Sequence, residues 1–285
     1  MRRVVPTVIA LLIGACAEGG GIGVTTSTGA VIPSSSAPTS TLPPVVECPG
    51  DGEFEEGGSL AEIDEDGSDS HTIGRISWEA SDQCETFTFE FETEEGAPAT
   101  TVPDLHIEHL DSFQVIRITM DVESTVVTDQ LVETGLVHRL YVVRALDGGM
   151  FVDLHLAAPA AARAGIRSSP ARLTVDLRPG FVPFDGSASI GEFVVLMNPA
   201  ADREVGQVVE VAGYSRTFES NVLIIVTQGD FPVVETSTTA ADYIETWGEF
   251  RTEVTLPPGA VSLFVGESSP EDGSLEGITV ELLVS

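Results

Sequence analysis

From Thr72 onward, apolar residues fall at every second position in one short run after another. In "ETFTFEFET", Phe87, Phe89 and Phe91 share one face while Thr86, Thr88, Glu90 and Glu92 take the other. That period of two predicts a strand buried on one side. The same reading applies to "FQVIRITMDV" from Phe113, "LVHRLYVVRAL" from Leu136, "MFVDLHLA" from Met150 and "RLTVDLR" from Arg172. Only "APAAARAG", ending at Gly165, has helical composition, and Pro159 limits it to a turn or two. "RPGFVPFDGSASIG", from Arg178 to Gly191, breaks the alternation and predicts a linker. Strands then resume at Phe193–Asn198, Val205–Ala212, Asn221–Gln228, Phe250–Thr255, Ala260–Glu267 and Gly277–Val284. The expected class is all-β, with two β-sandwich domains at 68–180 and 190–285, the second immunoglobulin-like by its strand count.

Within the second domain, "VEVAGYSRTFESNVLIIV" (Val209–Val226) places several large and polar residues at a strand junction. Gly213 is expected to be a backbone hinge at a strand end. Phe218 is expected to tuck into the sandwich edge, with Glu219 capping or pairing locally. Tyr214 and Arg216 are the candidate partner contacts of this stretch.

Composition adds charge. The 285 residues carry 45 Asp plus Glu against 13 basic residues, all of them Arg, for a net charge of −32. Such a field repels phosphate backbones, which excludes nucleic acid as a partner. It also disfavours anionic lipid headgroups as partners of the folded part.

The N-terminus predicts location. "MRRVVPTVIALLIGAC" has Arg2 and Arg3, an apolar run from Val4 to Ala15, then Cys16. The run is too short to span a bilayer, which takes about 20 apolar residues, and it fits an export signal. Its "IGAC" ending resembles a bacterial lipoprotein box, with Ile13 in place of the usual Leu. That resemblance implies cleavage before Cys16 and lipidation of its thiol, anchoring the chain to the extracytoplasmic side of the cell membrane. An ordinary signal peptide with a chance cysteine is the other reading. A Gly/Ser/Thr/Pro-rich stretch, Ala17–Val46, reads as a tether. It is followed by Asp51–Asp69, with nine acidic residues and no basic ones, so that 17–67 is expected to be a flexible linker. "DEDGSD" has a calcium-loop flavour but lacks the full twelve-residue pattern, and the simpler reading is a solvated acidic run.

Cys48 and Cys84 remain after Cys16 is set aside. In an exported chain they read as a disulfide closing a loop of about 36 residues, worth roughly 3–4 kcal/mol. Two free thiols are the alternative.

Resemblances sharpen the domain reading. "VVLMNPAADREVGQVVEVAGYSRTFESNV", with "WGEF" and "ESSPEDGS", resembles the immunoglobulin-like domain of bacterial spore germination proteins. Gly213, Phe218, Glu219, Gly248, Phe250, Asp272 and Gly273 match its pattern, and Ser215 stands where Ala is usual. The resemblance implies a non-enzymatic, envelope-associated module. Ser68–Pro179, through "DQCETFTFEF" and "SPARLTVDLRP", resembles the AMIN-like domains of actinobacterial lipoproteins, with Cys84 and Glu85 in place of an Asp-Arg pair. AMIN domains target proteins to the envelope and are linked to peptidoglycan binding, often ahead of an amidase. Here the immunoglobulin-like module stands in the amidase's place.

Candidate chemistry is sparse. No Gly-x-Ser-x-Gly, His-Glu-x-x-His or phosphate-cradling loop occurs, so no catalytic residue, cofactor site or metal site is assigned. "LHIEHL" groups His106, Glu108 and His109, but on a strand His109 faces away from the other two. His138 and His155 fall inside other predicted strands. Trp78, Tyr141, Tyr214, Tyr243 and Trp247 read first as core, with sugar stacking as the alternative. The expected function is a lipid-anchored envelope protein that binds peptidoglycan or an envelope protein. The alternative is an accessory scaffold for a wall hydrolase or a germination-like assembly.

Overall fold

The computed structural model describes Cys48 and residues 52–64, 67–81 and 83–285, which belong to one compact unit. Cys16, the export signal and the Ala17–Val46 stretch lie outside the described residues. Helix among the described residues amounts to two single 3-10 turns, Asp111–Phe113 and Phe218–Ser220. Everything else regular is strand, as the period-two pattern requires.

The first sandwich is built from β1 (Gly58–Ile63), β2 (Thr72–Ala80), β3 (Glu85–Glu92), β4 (Leu105–Leu110), β5 (Val115–Met120) and β6 (Ser124–Thr125). It continues with β7 (Asp129–Leu131), β8 (Val137–Arg144), β9 (Met150–Leu156), β10 (Ala160–Arg167) and β11 (Arg172–Pro179). The second comprises β12 (Ser189–Ile190), β13 (Val194–Asn198), β14 (Arg203–Val205), β15 (Val208–Ser215) and β16 (Asn221–Gln228). It closes with β17 (Phe231–Thr239), β18 (Trp247–Thr255), β19 (Gly259–Ser268) and β20 (Leu275–Val284).

Two sheets are private to one sandwich each: β10-β11-β3-β2-β6 in the first, and β14-β20-β19-β16-β17 in the second. The remaining sheet serves both, in the order β1-β4-β5-β9-β8-β18-β15-β13-β12, with β7 also paired to β8. Its continuity rests on a short parallel contact, Trp247 with Val143 and Gly248 with Arg144. Two cores lie between facing sheets. One gathers Phe87, Phe89 and Phe91 with Ile107, Ile118, Leu140 and Val152; the other gathers Val211, Val222, Ile224, Phe250 and Leu263.

A third core lies where the shared sheet passes from one sandwich to the other. Alternation places Leu140 and Val142 of β8 in the first core and Tyr141 and Val143 in the third. Likewise Val194 and Leu196 of β13 enter the second core, while Val195 and Met197 enter the third. Tyr141, Phe151, Tyr214 and Trp247 fill it, with ring centroids 4.9–6.1 Å apart in mostly edge-on arrangements, a geometry that suits aromatic quadrupoles. β9 is therefore buried along its whole length, polar Asp153 and His155 included.

Three expectations change. The acidic segment is not linker throughout: β1 pairs with β4, and Glu55 bridges Ala162. Its exposed side chains leave the acids in solvent while the backbone completes the sheet. The alanine-rich segment is strand β10, not a helical turn, in unbroken register with β11. Pairing with a distant strand and burial of Ala160, Ala161 and Ala162 override a weak local helix propensity. A strand also forms at Phe231–Thr239, where no alternation predicts one.

Candidate functional site

The outer face of the β10-β11-β3-β2 sheet carries polar side chains in three rows set by strand register. One row runs Arg163, Asp176, Thr86, Glu79; the next runs Gly165, Thr174, Thr88, Ser77; the third runs Arg167, Arg172, Glu90, Arg75. The inner face of the same strands holds Phe87, Phe89, Leu173, Val175 and Leu177, all buried. Period-two alternation therefore produces both the core and the polar face.

The middle row forms the floor of a groove of ≈ 490 Å³, bounded by Arg163 and Asp176 on one side and Arg167 and Arg172 on the other. Gly165 makes room, since a Cβ there would sit 3.0 Å from Thr174 Oγ1. Thr174 donates to the Gly165 carbonyl at 3.1 Å, and Thr86 donates to Asp176 Oδ1 at 2.6 Å. Among the described residues, no hydrogen bond to protein engages the Thr88 hydroxyl.

The two walls differ in how their charges are used. Arg163 is committed: its Nε donates to Asp176 Oδ2 at 2.9 Å and its NH2 to the Cys48 carbonyl at 3.0 Å. It stacks on Phe54, which Arg178 covers as well. Cys48 is joined to Cys84 in a disulfide, with Cα atoms 5.4 Å apart, so the chain before β1 is clamped beside the groove. Arg172 pairs with Glu90 at 2.8 Å, yet its Nε has no acceptor. Arg167 is exposed and makes no ion pair among the described residues. The groove thus offers a hydroxyl floor and the exposed Arg167 guanidinium beside the Arg172–Glu90 pair, a set that suits a ligand bearing hydroxyls and a carboxylate.

The candidate residues read from the sequence scatter elsewhere. Tyr214 is not an exposed contact: it is 1 % exposed, inside the third core. Its partner is the other sandwich, because β15 delivers its ring to β8 and β9. Burial holds its hydroxyl well above the usual phenol range. Arg216 is exposed, just past β15, and its N–H donates to the Phe193 carbonyl at 2.8 Å. Gly213 is no hinge; it sits inside β15, where a Cβ would lie 2.0 Å from the Val195 carbonyl oxygen. Close approach of β13, not unusual φ, is what requires glycine there. Phe218 does not tuck in but is 58 % exposed, and Glu219 adopts φ 53°. The Phe218 N–H instead donates to Glu267 Oε2 at 2.6 Å.

His106 and Glu108 share the outer side of β4, 4.0 Å apart, while His109 is buried beside Asp111. Among the described residues no cluster of three His, Cys, Asp or Glu is placed to hold a metal. Asp69 of the acidic run accepts N–H and hydroxyl bonds from both Thr100 and Thr101, which hold its carboxyl well below the usual range. Its oxygens are spent on ordering that loop. His138 lies on exposed ground of β8. His155 is buried, and desolvation pushes its imidazole down to about 4.

Sequence reasoning missed the groove because its signal is relational. Thr88, Thr174 and Gly165 are ordinary strand residues until register aligns them.

Residues 193–274 match the family described as the immunoglobulin-like domain of bacterial spore germination, a non-catalytic type of module. No curated protein and no solved structure matches the chain.

Proposed function

We propose that the chain is a lipid-anchored extracytoplasmic protein, tethered through Cys16, whose first sandwich holds peptidoglycan in the groove over β10, β11 and β3. The observation that carries this reading is the placement of cations. In a chain with 13 arginines and a net charge of −32, Arg163, Arg167, Arg172 and Arg178 are gathered on the single β10–β11 hairpin. Peptidoglycan presents sugar hydroxyls and the carboxylates of its lactyl and peptide groups, the chemistry that the Thr floor and Arg wall complement. Global repulsion from an anionic wall decays over about 8 Å at physiological salt, so the local donors dominate at contact.

Co-sedimentation of the purified protein with cell-wall sacculi tests the reading. Wild type is expected in the pellet, and Arg167→Glu, which breaks no ion pair among the described residues, is expected in the supernatant with unchanged thermal unfolding. Wild-type protein that stays in the supernatant, with and without divalent cations, sinks the glycan reading and leaves a protein partner. Mass spectrometry of the membrane-extracted protein tests the anchor: an unmodified Cys16 sinks it.

A further inference from the structure

We infer that β17 is a docking edge that takes an extended, β-branched, lysine- or arginine-bearing segment of another protein as an added strand. β17 is the outermost strand of the β14-β20-β19-β16-β17 sheet and runs for nine residues. Among the other edges, β1 runs for six residues, and four more are short or partly closed. β6 and β12 are two residues long, β14 is three, and β10 is partly closed by Glu55, which exchanges backbone bonds with Ala162 at 2.9 and 2.8 Å. β17 has no such cover among the described residues.

The phase of the ladder says which groups are free. Antiparallel partners alternate between hydrogen-bonded and non-bonded pairs. Ala240 donates to the Ser220 carbonyl at 2.9 Å, so that pair is bonded, and the register of β16 with β17 makes 222 with 238 and 224 with 236 the next bonded pairs. Glu235 and Ser237 therefore point both backbone groups away from β16, toward the open edge.

The side chains fix the chemistry of the occupant. Most of β17 is exposed on both faces, which an edge strand that only closes a core would not need. Phe231 and Val233 are 73 % and 47 % exposed, giving apolar footing at the hairpin end. Glu235 is the sole charge of the strand and calls for a cation directly opposite. A second copy of the chain fits poorly, because it brings its own Glu235 and a net charge of −32. Strand addition draws its affinity from main-chain bonds and its choice of partner from such side-chain pairs.

The test uses the full chain and a capped seven-residue peptide alternating valine and threonine with one central lysine, read by fluorescence anisotropy. Saturable binding is expected. Ser237→Pro removes an N–H that the sheet does not use, so it should keep wild-type thermal unfolding and weaken the peptide roughly tenfold or more. Glu235→Lys should weaken the lysine peptide and favour a glutamate peptide. No saturable binding, or binding indifferent to Ser237→Pro, overturns the inference. A dimer in sedimentation velocity, with β17 amides slow to exchange before peptide is added, overturns it in favour of a second copy. Sacculus binding is unaffected by either variant, so this result and the glycan result fail independently.

Discussion

The Tyr214 hydroxyl and His155 Nε2 share a hydrogen bond that ties β15 of the second sandwich to β9 of the first. Both residues are nearly inaccessible, at 1 % and 4 % exposure, and Tyr141 packs edge-on against His155. Beside them Arg117 binds Asp153 through two bonds of 2.8 and 2.7 Å and lies over Phe151. The two sandwiches therefore share a desolvated seam, and the chain is expected to unfold them together. Tyr214→Phe keeps the ring but leaves Nε2 buried without a partner, costing about 1–3 kcal/mol. Tyr214→Ala also opens a cavity, costing about 3–5 kcal/mol. Urea unfolding followed by Trp fluorescence measures both, and a Tyr214→Phe midpoint equal to wild type would remove the bond from the account of stability.

The same seam predicts a response to acid. Desolvation is the main cause that lowers His155 to about 4, with His138, Arg117 and Arg139 adding to it and Asp153 opposing. An unfolded histidine titrates near 6.5. Between those values the unfolded chain binds a proton that the folded chain refuses, so stability falls as pH drops from about 6.5 toward 4, by about 3 kcal/mol in total. Denaturation at pH 7, 5.5 and 4.5 reads this loss. His155→Gln should flatten that part of the profile, and an unchanged profile would assign the loss to other groups.

How much of this is legible in the sequence depends on where the information sits. Phe87, Phe89 and Phe91 announce β3 because one buried face imposes period two, and the all-β class follows from many such runs. β17 escapes because "FPVVETSTT" is largely exposed on both faces, and a strand that buries little shows little alternation. β10 reads as a helical turn because alanine's local preference shows in the sequence, while the ladder that overrides it does not. Tyr214 reads both as core and as a partner contact, and burial decides for core, because a second buried face of one sheet is invisible until another domain covers it. The groove needs register, which a single strand does not encode.

Gly213 offers a test of backbone crowding. A Cβ there would meet the Val195 carbonyl oxygen at 2.0 Å and its carbon at 3.1 Å, both main-chain atoms that cannot rotate away. Gly213→Ala is expected to cost about 1–3 kcal/mol or more through displaced strands. Gly206→Ala, with nothing within 4 Å of its Cβ, should stay within about 0.5 kcal/mol of wild type. Equal melting temperatures for the two variants would contradict the tight β13–β15 approach.

The Cys48–Cys84 disulfide spans 36 residues, and the chain-entropy relation gives such a loop about 3–4 kcal/mol. Replacing both cysteines by alanine is expected to lower stability by that order. It should also expose the chain around Cys48 to protease, because bonds from Arg163 then hold it at Cys48 and Gly52, while Glu55 stays paired with Ala162 further along. Limited proteolysis under reducing and non-reducing conditions checks this. Identical cleavage patterns would show that the ion pair and stacking suffice without the disulfide.

Gly165 separates binding from folding. It lies in edge strand β10 opposite Thr174, where a β-branched residue is favoured over glycine by up to about 1 kcal/mol. The only close neighbour of an added Cβ is Thr174 Oγ1, which can turn aside at the loss of its exposed bond to the Gly165 carbonyl. That loss offsets the propensity gain, so Gly165→Thr should fold about as stably as wild type while its side chain occupies the groove floor. If the groove holds peptidoglycan, sacculus binding falls roughly tenfold or more, the loss expected when an occupied site forfeits its direct contacts. Loss of binding with a raised or unchanged melting temperature assigns the site to this face. Full binding by the stable variant moves the glycan site elsewhere on the molecule.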